Sequence, residues 1–339
     1  MFDGLGRVVY RRRRWVLALT AVFLVAAALW GTRVIGALAN GGFEDPDSDS
    51  YRAEQRIERS LGGGEADVVA LYSSHRLTVD DPSFRRAVER TLAGLPDDKV
   101  GRVTTYWSSG AEQLVSKHRH ATYVTVQLRN PQGGGADEGE LIDTYRAVED
   151  DFAAPGLDVG LGGNVAVFDD VNTQVSEDIA RAEQLSLPIL LVLLLIIFGS
   201  LVAAAMPLAV GGLAILGAFT ALRLLTYLTD VSIFAVNIVT MLGLGLAIDY
   251  ALFIVSRFRE ELPRQASVGD ALAATMATAG RTVAFSGLTV ALSMASLLLF
   301  PQVFLRSMAF GGIAAVLVAM LGALTALPAL LGALGHRVG

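Results

Sequence analysis

Charge is absent from five long stretches of this chain, and that distribution constrains the fold more than any motif does. Trp15 to Thr32, Leu185 to Leu222, Val231 to Ile248, Thr282 to Leu305 and Ser307 to Gly335 carry no Asp, Glu, Lys or Arg. Each is at or beyond the roughly 18 residues that mark a bilayer-spanning helix. Charged residues make up only 18% of the 339, against about 25% in soluble domains, so the apolar excess is concentrated in these blocks. The chain reads as a polytopic α-helical membrane protein.

Six spans follow. The basic cluster Arg11 to Arg14 and the first run resemble a signal peptide, but the apolar core is too long and continues through Val34, Ile35 and Leu38. An uncleaved span at 15–36 is expected. The run Leu185 to Leu222 would measure about 57 Å as one helix, nearly twice the hydrocarbon thickness, so it folds back on itself. Phe198 to Ser200 is the expected reversal, giving spans at 185–200 and 203–223, followed by 232–256, 282–300 and 304–330. The positive-inside rule places Arg7, Arg11 to Arg14, the Arg257 to Arg281 loop and Arg337 in the cytoplasm, with Arg223 and Arg306 as minor exceptions. The expected organisation is a cytoplasmic N-terminus and first span at 1–37, an extracytoplasmic domain with a linking helix at 38–184, a five-helix bundle at 185–335 and a cytoplasmic tail at 336–339, in a multi-pass plasma-membrane protein.

The hydrophilic block is itself patterned. A helix at 49–61 leads to a strand at 67–73, then to a helix capped by Asp81 with Pro82 in its first turn. Strands at 100–107 and 122–129 come next, a glycine-rich loop at 133–135 opens a helix at 138–152, and a last strand lies at 157–161. The order β-α-β-β-α-β is that of the split βαβ sandwich, an α+β fold that hosts many functions. From 169 to 184 the spacing of Val171, Val175 and Ile179 suggests an amphipathic helix, either coupling the outer domain to the membrane or merely connecting them.

Several chemistries are excluded. A net charge of −6 with no basic stripe argues against nucleic acid. No cysteine and four scattered histidines argue against a metal centre or a triad. The glycine runs at 62–64 and 133–135 lack the lysine of a phosphate loop, so any work is expected to draw on an ion gradient rather than on a nucleotide or another cofactor.

One residue is costly where it stands. Asp249 lies within a stretch that is otherwise apolar from Val231 to Val255, and a carboxylate that deep costs about 2.5 to 3.5 kcal/mol on insertion scales. It needs a partner or a proton. Tyr250 follows it, about 100° around the helix, so the two do not readily bond each other and each is expected to look to another helix or subunit. An acid that exchanges partners during a conformational cycle can carry H⁺ across a membrane. Gly243 and Gly245 permit close helix packing. Ser286, Thr289 and Ser293 recur at helical spacing and either face Asp249 or bond their own i−4 carbonyls. Phe43, Tyr72, Tyr106, Trp107 and Phe168 are candidate apolar contacts for a substrate, or equally domain core.

The segments "GGFEDPDSDS" from Gly41, "GLGLAIDYALFIVSRFREEL" from Gly243, "AGRTVAFSGLTVALSMASLLLF" from Ala279 and "FLRSMAFGGIAAVL" from Phe304 resemble the MmpL branch of the resistance-nodulation-division superfamily. The resemblance covers essentially the whole chain. It implies proton-driven export of lipids or other hydrophobic molecules, as in actinobacteria, with Asp249 and Tyr250 as the proton-relay pair. Members of that branch usually carry two such repeats, so this sequence is expected to act as half of a two-repeat transporter or as a homodimer in which Asp249 of each copy meets Tyr250 of the other. An accessory role in protein translocation, like that of SecDF, and a non-transporting half-protein or scaffold are the competing expectations.

Overall fold

The computed structural model describes residues 2–38, 42, 45, 47–61, 66–129 and 138–338. It divides into two compact units, Met1–Asp45 with Arg181–Gly339, and Pro46–Ala180. The expected Phe43 contact and both glycine runs lie outside the described residues.

The first unit begins with α1 (Phe2–Arg11), a helix where the sequence reading had only a basic tail. Its Gly6 and Val9 are buried, and a side chain at Gly6 would come within 3.1 Å of the Ala273 backbone. The Tyr10 ring lies between Gly269 and Gly332, with the Arg13 guanidinium 4.6 Å from its centre. A small residue every few positions lets this helix seat on the bundle, a signal that hydropathy does not carry. The first span is α2 (Arg13–Trp30), extended as a 3₁₀ turn to Ala37.

In the second unit, α3 (Asp49–Leu61) precedes β1 (Val68–Ser73), α4 (Pro82–Ala93) and β2 (Val100–Thr104). The one-turn α5 (Tyr106–Ser109), β3 (Ala121–Leu128), α6 (Glu138–Arg146) and β4 (Asp158–Gly162) follow. The sheet order is β2-β3-β1-β4, with every neighbouring pair antiparallel, the order of a split βαβ sandwich. The expected helix over 138–152 is instead α6 followed by a separate 3₁₀ turn at Glu149–Phe152. Asp81 caps α4 by accepting from the Ser83 amide at 2.8 Å. β2 ends three residues earlier than the sequence suggests because Thr105 and Ser108 close a capping box on α5. Alternation buries Val68, Ala70 and Tyr72 of β1 and Val124 and Val126 of β3 against Phe84, Val88, Ile142 and Phe152. The Tyr72 hydroxyl donates to the Phe152 carbonyl at 3.2 Å. Burial pushes the Tyr72 phenol up to about 12. Burial likewise raises Tyr145 to about 12, helped by the nearby Glu149, Asp170 and Asp169 carboxylates.

The boundary between units falls inside α7 (Asn164–Phe198), so the amphipathic segment and the second span form one 35-residue helix. The chain reverses at Gly199, whose φ of 62° is open to glycine at little cost, into α8 (Leu201–Leu225). The last carbonyl of α7, that of Phe198, accepts from the Arg259 guanidinium at 2.8 Å. Then come α9 (Phe234–Glu261), α10 (Val268–Thr275), a π-turn (Met276–Gly280), α11 (Arg281–Ala295), α12 (Val303–Leu324) and α13 (Ala326–Leu334). Among the described residues six stretches are long and apolar enough to cross a membrane, Arg13–Ala37, Asn164–Phe198, Leu201–Leu225, Phe234–Glu261, Val268–Leu299 and Val303–Leu334. The fifth starts earlier than 282 because Arg281 is exposed and does not interrupt the helix. The sixth breaks at Thr325: Pro328, three residues on, has no N–H for the Leu324 carbonyl, and the ladder resumes where the Ala329 amide donates to the Thr325 carbonyl at 3.2 Å. Bundle helices approach closely at small residues. A Cβ on Gly311 of α12 would stand 2.9 Å from the Ala235 carbonyl oxygen of α9.

Candidate functional site

Helix α9 has two faces. Gly243, Ala247, Ile248, Tyr250, Ala251, Ile254, Val255 and Phe258 are buried against the rest of the bundle. The opposite stripe runs Met241, Gly245, Asp249, Phe253, Ser256 and Glu260 at spacings of three or four residues, all exposed. Asp249 and Tyr250 therefore part company: the carboxylate points away from the bundle and the phenol, 4% exposed, into its core. Among the described residues no hydrogen bond or ion pair reaches the Asp249 carboxylate. The Tyr250 hydroxyl is buried beside Ser286 of α11, without the geometry of a formed hydrogen bond.

The other sequence candidates separate as well. Thr289 donates to the Phe285 carbonyl at 2.9 Å and Ser293 to the Thr289 carbonyl at 3.0 Å, so both hydroxyl protons are held by their own helix. All three hydroxyl residues lie on the exposed face of α11, whose buried face is Val283, Ala284, Gly287 and Ala291. Gly243 is a close-packing point, where an added Cβ would meet Ala315 at 3.3 Å; at Gly245 an added Cβ would meet nothing within 4 Å among the described residues. In the split βαβ domain Tyr72 is fully buried and offers no substrate surface, and Phe168 is partly buried against the same core. Their aromatic bulk fills the sandwich.

Reading the sequence for topology treated Arg257 and Arg281 only as charge markers. In the structure both line one cavity of about 650 Å³ with Phe253, Ser256, Glu260, Ala277, Thr278, Ala279 and Thr282, between the end of α9 and the π-turn leading into α11. The available signal was the π-turn's neighbourhood, a lone arginine ahead of a long apolar run.

A first span, a split βαβ domain and five further spans, the fourth carrying a lone outward acid, define a multi-pass membrane protein with the architecture of the resistance-nodulation-division superfamily. The chain belongs to the MMPL family, whose family model matches residues 42–338. It is 38% identical over its whole length to a Streptomyces coelicolor membrane protein, of which it covers 47%. It is 34% identical, again over its whole length, to the trehalose monomycolate exporter MmpL3 of Mycobacterium tuberculosis, covering 36% of that protein. To the mycolic acid-containing lipids exporter MmpL11 of Mycolicibacterium smegmatis it is 32% identical over 96% of its length, covering 34% of the relative. The chain thus spans between a third and a half of the length of these relatives. Among solved structures, SecDF, a translocon-associated membrane protein from Thermus thermophilus, superposes on 96% of this chain with a TM-score of 0.51 at 14% identity, covering 38% of that protein, a likeness of fold alone.

Proposed function

We propose that this chain is a proton-driven export unit for lipids or other hydrophobic molecules at the plasma membrane, with the proton as coupling ion and Asp249 as its carrier. The single observation that carries the reading is the Asp249 carboxylate, set on the outward face of an apolar span with no partner among the described residues. A charge in that position is costly unless it is neutralised or met from outside the bundle. The exporters MmpL3 and MmpL11 among the relatives support a lipid substrate. The basic end of the bundle, where α1 seats on α10, faces the cytoplasm in this reading, in keeping with the arginine distribution.

The Asp249 region of the exposed α9 stripe, from Met241 through Asp249, calls for a covering bundle, supplied by a second copy of this chain or by a second repeat. Mutual Asp249–Tyr250 contacts across a two-fold axis are not available with the phenol buried as it is. In the revised relay Tyr250 works from inside, beside Ser286, and Asp249 meets the covering bundle.

The test is reconstitution into proteoliposomes with an imposed pH gradient and a fluorescent lipid. Asp249→Asn is expected to abolish gradient-dependent lipid movement while eluting as a folded protein. Wild-type transport by the asparagine variant would remove the proton from this residue.

A further inference from the structure

We propose that the cavity between α9, the π-turn and α11 binds the anionic phosphate headgroup of a membrane phospholipid. Its walls combine charged and polar groups with an apolar part, a combination that suits such a molecule. Arg281 presents a guanidinium for which no carboxylate partner exists among the described residues; its ring contact is Phe285, 5.6 Å away. Arg257 is held by Glu260 at 2.8 Å and Glu261 at 2.6 Å through its terminal nitrogens, while its Nε–H is buried with no acceptor. An orphan buried donor at a cavity wall calls for an acceptor from outside the chain. Ser256 adds a hydroxyl. Thr278 donates to the Ala274 carbonyl and Thr282 to the Thr278 carbonyl, leaving their oxygens without a proton to offer, so the cavity's donors are the two arginines and Ser256.

Glu260, the one carboxylate among the described lining residues, is paired with Arg257, which Glu261 also holds, so Arg281 is the lining guanidinium left without a carboxylate partner among the described residues. Planar guanidinium groups suit phosphate oxygens, which they bind through paired N–H donors. Phe253, Ala277 and Ala279 form the apolar part of the lining, and the exposed side chains of Phe285, Leu288 and Leu292 continue along α11 from Arg281. A headgroup in the cavity thus has an apolar track for its acyl chains, which inorganic phosphate would leave unused. The volume of about 650 Å³ lies in the range of small-molecule sites and is far larger than a bare phosphate needs. The π-turn supplies the opening: its wider backbone turn displaces residues 276–280 from the regular helical path at the point where the cavity forms.

This assignment stands apart from the proton reading, since binding is measured without a gradient. The full chain is exchanged into nanodiscs of phosphatidylcholine with or without phosphatidylglycerol, and retained lipid is counted by native mass spectrometry. The expected result is preferential retention of phosphatidylglycerol, reduced about tenfold by Arg281→Gln, partly preserved by Arg281→Lys, and unaltered by Arg14→Gln, which removes the same charge outside the cavity. Equal retention by Arg281→Gln and the wild-type chain, or an equal loss in Arg14→Gln, would overturn the site. Displacement of phosphatidylglycerol by equimolar inorganic phosphate would overturn its assignment to a lipid. Circular dichroism of each variant separates loss of binding from loss of fold.

Discussion

Asp249 and Tyr250 are adjacent in sequence yet part company on α9, the carboxylate out of the bundle and the phenol into its core. The 100° step between successive helical residues makes this separation available, and the packing of α8 and α12 against α9 selects it. A buried phenol and an outward acid are different kinds of group, and they respond differently to substitution.

Tyr250→Phe removes a hydroxyl that is buried without a formed hydrogen bond. Because an unsatisfied buried polar group costs about 1 to 3 kcal/mol, the phenylalanine variant is expected to be at least as stable as the wild-type chain, by about 1 kcal/mol, while losing gradient-driven transport. Thermal unfolding in detergent and the proteoliposome assay together check the pair of outcomes. A destabilised variant would mean that the hydroxyl is bonded after all.

Arg259 donates to the last carbonyl of α7, at the reversal into α8. Its replacement by Ala orphans the Phe198 carbonyl and is expected to cost about 2 kcal/mol, the scale of a charge-assisted hydrogen bond. A Tm in detergent unchanged by Arg259→Ala would show that water takes over the carbonyl.

Gly311 leaves room for the Ala235 carbonyl oxygen, which an added Cβ would approach to 2.9 Å. Since that neighbour is backbone, Gly311→Val is expected to force α12 away from α9 at a cost of about 2 kcal/mol. Gly245→Ala, with open space at that position, is expected to leave the stability of the isolated chain within about 0.5 kcal/mol. Comparing the two melting temperatures tests the assignment of close-packed and open faces.

The phenols of Tyr72 and Tyr145, both raised to about 12, give the split βαβ domain an alkaline limit. The folded state holds these protons above the ordinary phenol value near 10, so the unfolded state binds fewer protons between pH 10 and 12. Stability from these groups is complete below about pH 10 and falls as pH rises toward about 12. Circular dichroism melts across that window are expected to show a steeper loss for the wild-type chain than for Tyr72→Phe.

In the same domain Arg146 bridges to the half-buried end of α7 through Asp169, at 2.6 Å. Asp169→Ala is expected to destabilise by about 2 kcal/mol, through loss of a charge-assisted bond in a buried position. Arg119, held by Asp80 and Glu112 at an exposed corner, is expected to be far more tolerant. Double-mutant melting curves distinguish these two ion pairs.

Five apolar runs, long enough for six spans, and a β-α-β-β-α-β succession were legible in the residues alone, since span length, strand alternation and the Asp81-Pro82 cap are local properties that neighbouring side chains enforce within a turn or two. The cost of an acid in an apolar run was equally legible at Asp249. The direction in which that acid points was not, because the run around Asp249 is apolar on every side and only the approach of α8 and α12 decides which side is buried. The same holds for Tyr72, whose aromatic ring suits a substrate surface or a core equally well until β1 is paired in its sheet. The seat of α1 on Ala273, and the meeting of Arg257 with Arg281 across one cavity, join residues that lie far apart in the chain. Composition and periodicity determined what crosses the membrane and what folds beside it; long-range packing decided which groups were left facing outward to do chemistry.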